Sequence, residues 1–271
     1  MSRQQHNNQT SQAFSPATHS ARSGRMSRVA PSRTAAKRAN GNLLNNLTVF
    51  FVALIVIAGA FYLTRGFNAY QEAVKAESFD AMAAEIESMP GYTHISDIPQ
   101  RYLDAVVAVE DHRYYLHPGF DIIATGRAFV NNIRAGGIVE GGSTITQQLA
   151  KNEYFTQDQN IDRKIAEMFT AFGLESHFSK EKILELYVNS IYFGEGHYGL
   201  REASMGYFDK EPSQLTDYEA TLLAGIPNAP SAYAPTVNPD LASQRQVQVV
   251  NKMVDYYMIT ENQAQEILTA A

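Results

Sequence analysis

Residues 97–121 read DIPQRYLDAVVAVEDHRYYLHPGFD. In the first half, Leu103, Val106, Val107 and Val109 recur at helical spacing, and Asp97 and Pro99 suit a helix start. The apolar face ends at Val109, so Glu110 and Asp111 fall where the chain leaves the helix. A helix dipole is negative at that end and does not favour carboxylates there. The plain reading is an ordinary polar turn. The sharper one is functional, because acids placed against local preference mark a site, and a raised pKa would suit Glu110 for general-base work.

Downstream the helical signals continue. Asp121 to Arg134 can form a second helix, ended by Gly136-Gly137. Thr144-x-x-Gln147 has the form of a capping box opening a third, and Asn160 to His177 reads as a fourth. Ser179 can cap a fifth through Tyr187, and Thr216-x-x-Glu219 starts another that stops before Pro227. Asn238 to Tyr257 and Thr260 to Leu268 supply the last two. Alternating β-branched runs are few. The predicted class is mainly α, with at most a short hairpin.

Two further polar clusters stand out. Glu140 to Asn152 places two glycines before a polar helix start, which suits an anion. Within it Thr144, Gln148 and Lys151 share one helix face. In Asp162-Arg163-Lys164-x-x-Glu167, the pairs Arg163/Glu167 and Lys164/Glu167 are i, i+4 and i, i+3. Alone, that set reads as a surface ion-pair lattice, worth about 0.3–0.5 kcal/mol per pair. Nothing here is a metal motif: His112 and His117 belong to no H-E-x-x-H pattern, and no Walker A, G-x-G-x-x-G or G-x-S-x-G run is present. Ser179-Lys-Glu-Lys182 matches S-x-x-K, but no K-T-G accompanies it and Ser179 reads as a helix cap.

Upstream, Leu47–Leu63 (LTVFFVALIVIAGAFYL) carries no charge, and residues 43–65 suffice to cross about 30 Å of hydrocarbon. A soluble helix of that length would show a polar stripe. A cleaved signal peptide would be shorter and closer to the N-terminus. Residues 1–42 hold seven Lys/Arg and no acid, are poor in large apolar residues, and read as a disordered basic tail on the cytoplasmic side. Residues 66–91 favour helix and read as a stalk; 92–271 are long enough for one domain outside the membrane. Across all 271 residues the composition is 45% hydrophobic and 18% charged, with net charge −6. That balance excludes wholesale disorder and argues against a nucleic-acid partner. The absence of cysteine excludes thiolate chemistry and disulfides.

Taken in order, these clusters resemble the glycosyltransferase domain of class A penicillin-binding proteins and monofunctional peptidoglycan transglycosylases. Glu110, Asp111, Tyr114, His117 and Gly119 match the opening motif. Gly141 to Gln148 with Lys151-Asn152 match the second, and Arg163, Lys164 and Glu167 the third. Ile183, Tyr187, Asn189, Tyr192, Phe193 and Gly194 carry a fourth, and Gly199 to Phe208 and Glu219 to Gly225 with Pro227, Pro230, Tyr233 and Pro235 the last. The likeness covers about residues 92–255. Departures are small: His112 stands where Arg is common, Tyr114 where Phe is common, and Asp209 where Gly is frequent. No transpeptidase domain follows before Ala271, which matches the monofunctional type.

The resemblance implies a lysozyme-like two-lobed fold behind one transmembrane helix, and a substrate, lipid II, polymerised with inversion into glycan strands as undecaprenyl pyrophosphate leaves. It implies Glu110 as general base and Glu167 as the second catalytic glutamate. Lys151, Arg163 and Lys164 would meet the pyrophosphate, while Asp111, Tyr114, His117, Ser143, Thr144, Gln148 and Asn152 would line the substrate cleft. Glu167 either holds these cations in place or helps bind a divalent metal, Mg or Mn, at the pyrophosphate; the two readings stand side by side. Implied partners are the growing glycan strand, the bacterial cytoplasmic membrane and other cell-wall synthesis proteins. A lysozyme-like hydrolase or lytic transglycosylase is the enzymatic alternative, since it too needs a catalytic Glu in an α-rich lobe. An inactive membrane-anchored scaffold is the other.

Overall fold

The computed structural model describes residues 33–137, 141–156 and 160–270, with side chains from residue 45 onward. The chain divides into two compact units, Met1–Leu54 and Ile55–Ala271. Of the first unit the structure describes residues 33–54, which belong to helix α1 (Arg33–Ala76). Residues 1–32 of the expected disordered tail lie outside the described residues. Residues 33–42, also assigned to the tail, are helical instead. Their Ala and Arg residues extend a helix already formed by the apolar run, so no new nucleus is needed. Asn45–Ala76 reaches a mean hydropathy of 2.4 over its most apolar window, none of it buried, and is long and apolar enough to cross a membrane.

Among the described residues of the second unit, the regular structure is all helical apart from one isolated antiparallel bridge, Tyr192–Tyr198. The mainly α expectation therefore holds. After α1 come α2 (Phe79–Glu87), α3 (Gln100–Glu110), α4 (Ile122–Ala135), α5 (Ile145–Tyr154), α6 (Ile161–His177) and α7 (Lys180–Ser190). They are followed by α8 (Leu200–Phe208), α9 (Asp217–Gly225), the single turn α10 (Pro230–Tyr233), α11 (Pro239–Asp255) and α12 (Glu261–Thr269). The starts follow the sequence. Asp121, Thr144, Asn160, Ser179, Thr216 and Thr260 each accept a backbone N–H in the first turn of the helix they open. Asp209 closes α8 at φ 54, a left-handed conformation that Asp tolerates and that accounts for the frequent Gly there.

The expected stalk is not a free connector. Phe79, Met82, Ala83 and Ile86 of α2 are buried in the domain core. Gly66 lies so close to α6 that a Cβ would stand 2.4 Å from Ile165 Cγ2. Phe67 and Phe169 meet edge to face at 5.3 Å, and Arg65 pairs with Asp162 at 2.7 Å. Packing thus begins before residue 92, because a helix with one apolar stripe buries it wherever a partner is in reach.

Helix α3 packs against α9 and α11, while α5 packs against α6 and α7. Asn189 fastens residue 93 to α7, accepting from Thr93 N at 2.7 Å and donating to Thr93 O at 2.8 Å. Helix α4 differs from the rest. Only Ala128 is buried, and Ile122, Ile123, Phe129, Val130 and Ile133 are exposed. These arrangements bring the end of α3, the start of α5, one face of α6 and one face of α11 around a single cleft.

Candidate active site

The cleft holds about 1080 Å³. Glu110 lies on its wall with its side chain only 10% exposed. Gln148 Nε2 donates to Glu110 Oε2 at 2.7 Å, and Tyr187 Oη donates to Gln148 Oε1 at 3.2 Å. The tyrosine thereby fixes which end of the amide faces the carboxylate. Glu110 Oε1 has no hydrogen-bond partner among the described residues, and Arg245 Nη2 lies 4.0 Å from it. Burial pushes the carboxyl above the usual range; Gln148, Arg245 and Lys151 pull it back, and Asp111 adds to the rise. A carboxylate that is costly to ionise, with one oxygen unengaged, is equipped to take a proton.

Asp111 lines the cleft, but its carboxylate serves the scaffold. Both oxygens lie 3.0 Å from His117 Nε2, and Oδ2 accepts from Ile145 N at 3.1 Å, at the positive end of α5. His117 Nδ1 accepts from Gly119 N at 3.2 Å, which leaves Nε2 as the nitrogen that donates to Asp111. Gly119 takes φ 94, and its own Cβ would meet Ala171 O at 2.8 Å, so no other residue fits the turn. Thr144 Oγ1 donates to Gly119 O at 2.6 Å and caps α5.

Also on the cleft lining, Lys164 Nζ donates to Ser143 Oγ at 2.8 Å and to Glu167 Oε2 at 2.9 Å. Arg163 Nε lies 3.0 Å from Glu167 Oε1, and Nη1 donates to Thr156 O. Glu167 is buried, and its two oxygens face these two cations. Lys151 lines the cleft without an ion pair or hydrogen bond to its ammonium among the described residues. Glu167 Oε1 makes no hydrogen bond among the described residues, although Arg163 Nε lies 3.0 Å away, and no group of three or more His, Asp or Glu able to hold a metal occurs among them.

Of the residues singled out from the sequence, Glu110, Asp111, Ser143, Gln148, Lys151, Lys164 and Glu167 line the cleft. The others do not line it. Tyr114 is fully buried, its hydroxyl donating to Lys180 O at 2.6 Å, so it is a core residue. His117 and Thr144 are buried and hold loops in place. Asn152 is exposed outside the cleft lining, and Arg163 acts on the cleft through Glu167. Sequence reasoning passed over Arg245, Gln248, Lys252 and Tyr256, all from the α11 region. Arg245 also donates to Gln248 Oε1 at 3.0 Å and lies 5.8 Å from the Tyr233 ring centre. Their signal was a polar stripe on an amphipathic helix, which does not differ from a solvated face.

The family model described as Transglycosylase matches residues 80–254. Penicillin-binding protein 1A of Neisseria flavescens is 46% identical over 177 residues, covering 65% of this chain and 22% of that protein. Penicillin-binding protein 1F of Bacillus subtilis (strain 168) is 47% identical over 170 residues, 63% of this chain and 24% of that protein. The chain thus spans less than a quarter of the length of these curated relatives. The crystal structure of penicillin-binding protein 1A from Haemophilus influenzae aligns with a TM-score of 0.40 and 23% identity, over 66% of this chain and 17% of that one. With its motifs gathered around one cleft and the family match spanning most of the helical domain, the chain belongs to the transglycosylase family, shared with the class A penicillin-binding proteins.

Proposed function

We propose that the domain polymerises lipid II into the glycan strands of peptidoglycan. The observation that carries this reading is Glu110 itself, a buried carboxylate oriented by Gln148, with one oxygen free of hydrogen bonds, in a cleft that Lys151 and Lys164 also line. In the reaction the acceptor sugar's 4-hydroxyl gives its proton to Glu110 as its oxygen attacks the donor's anomeric carbon. The bond from that carbon to the pyrophosphate oxygen breaks, with inversion, and undecaprenyl pyrophosphate leaves. Charge growing on the leaving group calls for preorganised cations. Lys151 and Lys164 supply them, and Glu167 holds Arg163 and Lys164 in register. A hydrolase would have no use for this cationic wall.

The location follows the same logic. The basic residues before the apolar helix favour an N-terminus in the cytoplasm and a domain on the outer side, where lipid II is displayed. The exposed apolar residues of α4 suit contact with a lipid surface. The test is direct. Detergent-solubilised full chain is incubated with lipid II, with and without divalent metal, and the products are sized. Ladders of glycan support the proposal; cleavage of preformed glycan, with no polymer from lipid II, overturns it.

A further inference from the structure

Two aromatic rings meet inside the cleft. His112, immediately after Asp111, and Tyr256, at the end of α11, stack with centroids 4.0 Å apart and planes 8° apart. Both line the cleft that holds Glu110, and both stay only partly buried. An aromatic pair formed for core packing would be closed off from solvent. Among the described residues, neither the imidazole nitrogens nor the phenol hydroxyl makes a hydrogen bond. Burial, then Arg127, holds His112 below the usual imidazole range. At neutral pH its ring therefore offers one donor and one acceptor.

The turn that delivers Tyr256 is a strained one. Tyr257 takes φ 59, a left-handed conformation that bulky side chains rarely adopt, and its own side chain is 95% exposed. Strain of this kind persists where the surroundings impose it and is found preferentially at ligand sites. Both tyrosines on the cleft wall have a cation nearby: Arg245 lies 5.8 Å from the Tyr233 ring centre and Lys252 Nζ 5.5 Å from that of Tyr256. The stacked pair is the paired aromatic surface in a lining otherwise rich in polar and charged side chains.

A flat apolar surface edged by free donors and acceptors matches a pyranose ring. Such a ring presents C–H bonds on its face and hydroxyls at its rim. We infer that the His112–Tyr256 stack is a saccharide shelf, against which the acceptor's sugar lies while Glu110 takes the proton from its hydroxyl. This rests on the glycosyl-transfer reading above. The acceptor side is favoured because His112 follows Glu110 and Asp111 directly, whereas the hydrogen-bonded pair Lys164–Ser143 comes from α6 and the loop before α5. The competing role is a clasp that merely ties the end of α3 to the end of α11.

The test separates donor from acceptor. The full chain in detergent receives lipid II with its 4-hydroxyl blocked, able only to donate, and an unblocked short lipid-linked glycan as acceptor. Tyr256→Leu should raise the acceptor KM at least about tenfold, with kcat and donor KM within about twofold, because the lost contact is made equally in the bound ground state and the transition state. Tyr256→Phe, which keeps the ring and loses only the hydroxyl, should raise the acceptor KM clearly less than Tyr256→Leu does. An unchanged acceptor KM in Tyr256→Leu, with a fall in kcat or melting temperature, identifies a clasp and overturns the shelf. Saturation-transfer NMR with a soluble acceptor disaccharide provides a reading independent of turnover. Saturation of the sugar C–H protons by wild type, lost in Tyr256→Leu, supports the shelf; no transfer in wild type overturns it. Absence of transfer product from wild type would refute the glycosyl-transfer reading instead, and the NMR result would still decide the shelf.

Discussion

Replacing Glu110 with Gln tests the chemistry at one atom. The amide keeps the shape, and its oxygen can go on accepting from Gln148 Nε2, now at 2.7 Å from Oε2. What it loses is the oxygen able to take a proton, Oε1, which has no hydrogen-bond partner among the described residues. A positioned base contributes about 10²–10⁴-fold, or about 3–5 kcal/mol of barrier. Polymerisation should therefore fall at least about a hundredfold, while lipid II binding survives. Stability should move the other way. The carboxyl's folded pKa is raised above its unfolded value by burial, so its contribution to stability is present at low pH and lost as pH rises. At neutral pH a neutral amide escapes that cost, and the melting temperature should hold or rise. Single-turnover polymerisation with lipid II, paired with thermal melting, measures both. A variant that polymerises at near wild-type rate, with chemistry shown to be limiting, would refute Glu110 as the base.

Other consequences can be checked alongside. The acid limb of kcat/KM should lie above the ordinary carboxylate value of 4.5, and Gln148→Leu should move it higher still, because the amide's hydrogen bond lowers the Glu110 pKa; a limb at or below 4.5 in both proteins counts against the assignment. Lys151→Ala and Lys164→Ala should each lower kcat by about 10²-fold if they stabilise the leaving pyrophosphate; lipid II turnover unchanged in both would remove them from the mechanism. Gly66→Leu should loosen the packing of α1 on α6, since a Cβ there stands 2.4 Å from Ile165 Cγ2, and should lower the melting temperature of the full chain. Protease added outside intact cells should remove the domain and spare the tail; digestion of the tail with protection of the domain would reverse the orientation.

The local rules were legible in the chain itself. Capping residues such as Thr144, Ser179 and Thr216 announced helix starts because their hydrogen bonds span three residues. The uncharged Leu47–Leu63 run announced an apolar helix because no polar stripe interrupts it. Glu110 was legible as a candidate base because it breaks the preference of a helix C-terminus. Adjacency in sequence did not reveal which neighbours share the cleft. Asp111, beside Glu110, turns inward to His117 and Ile145 N, and Tyr114 sinks into the core. Arg245 and Tyr256 arrive from α11, where periodicity shows only that one face is polar. Packing of α11 against α3 and α9 decides what that face meets, because a helix fixes the direction of its own side chains and leaves their partners to tertiary contacts.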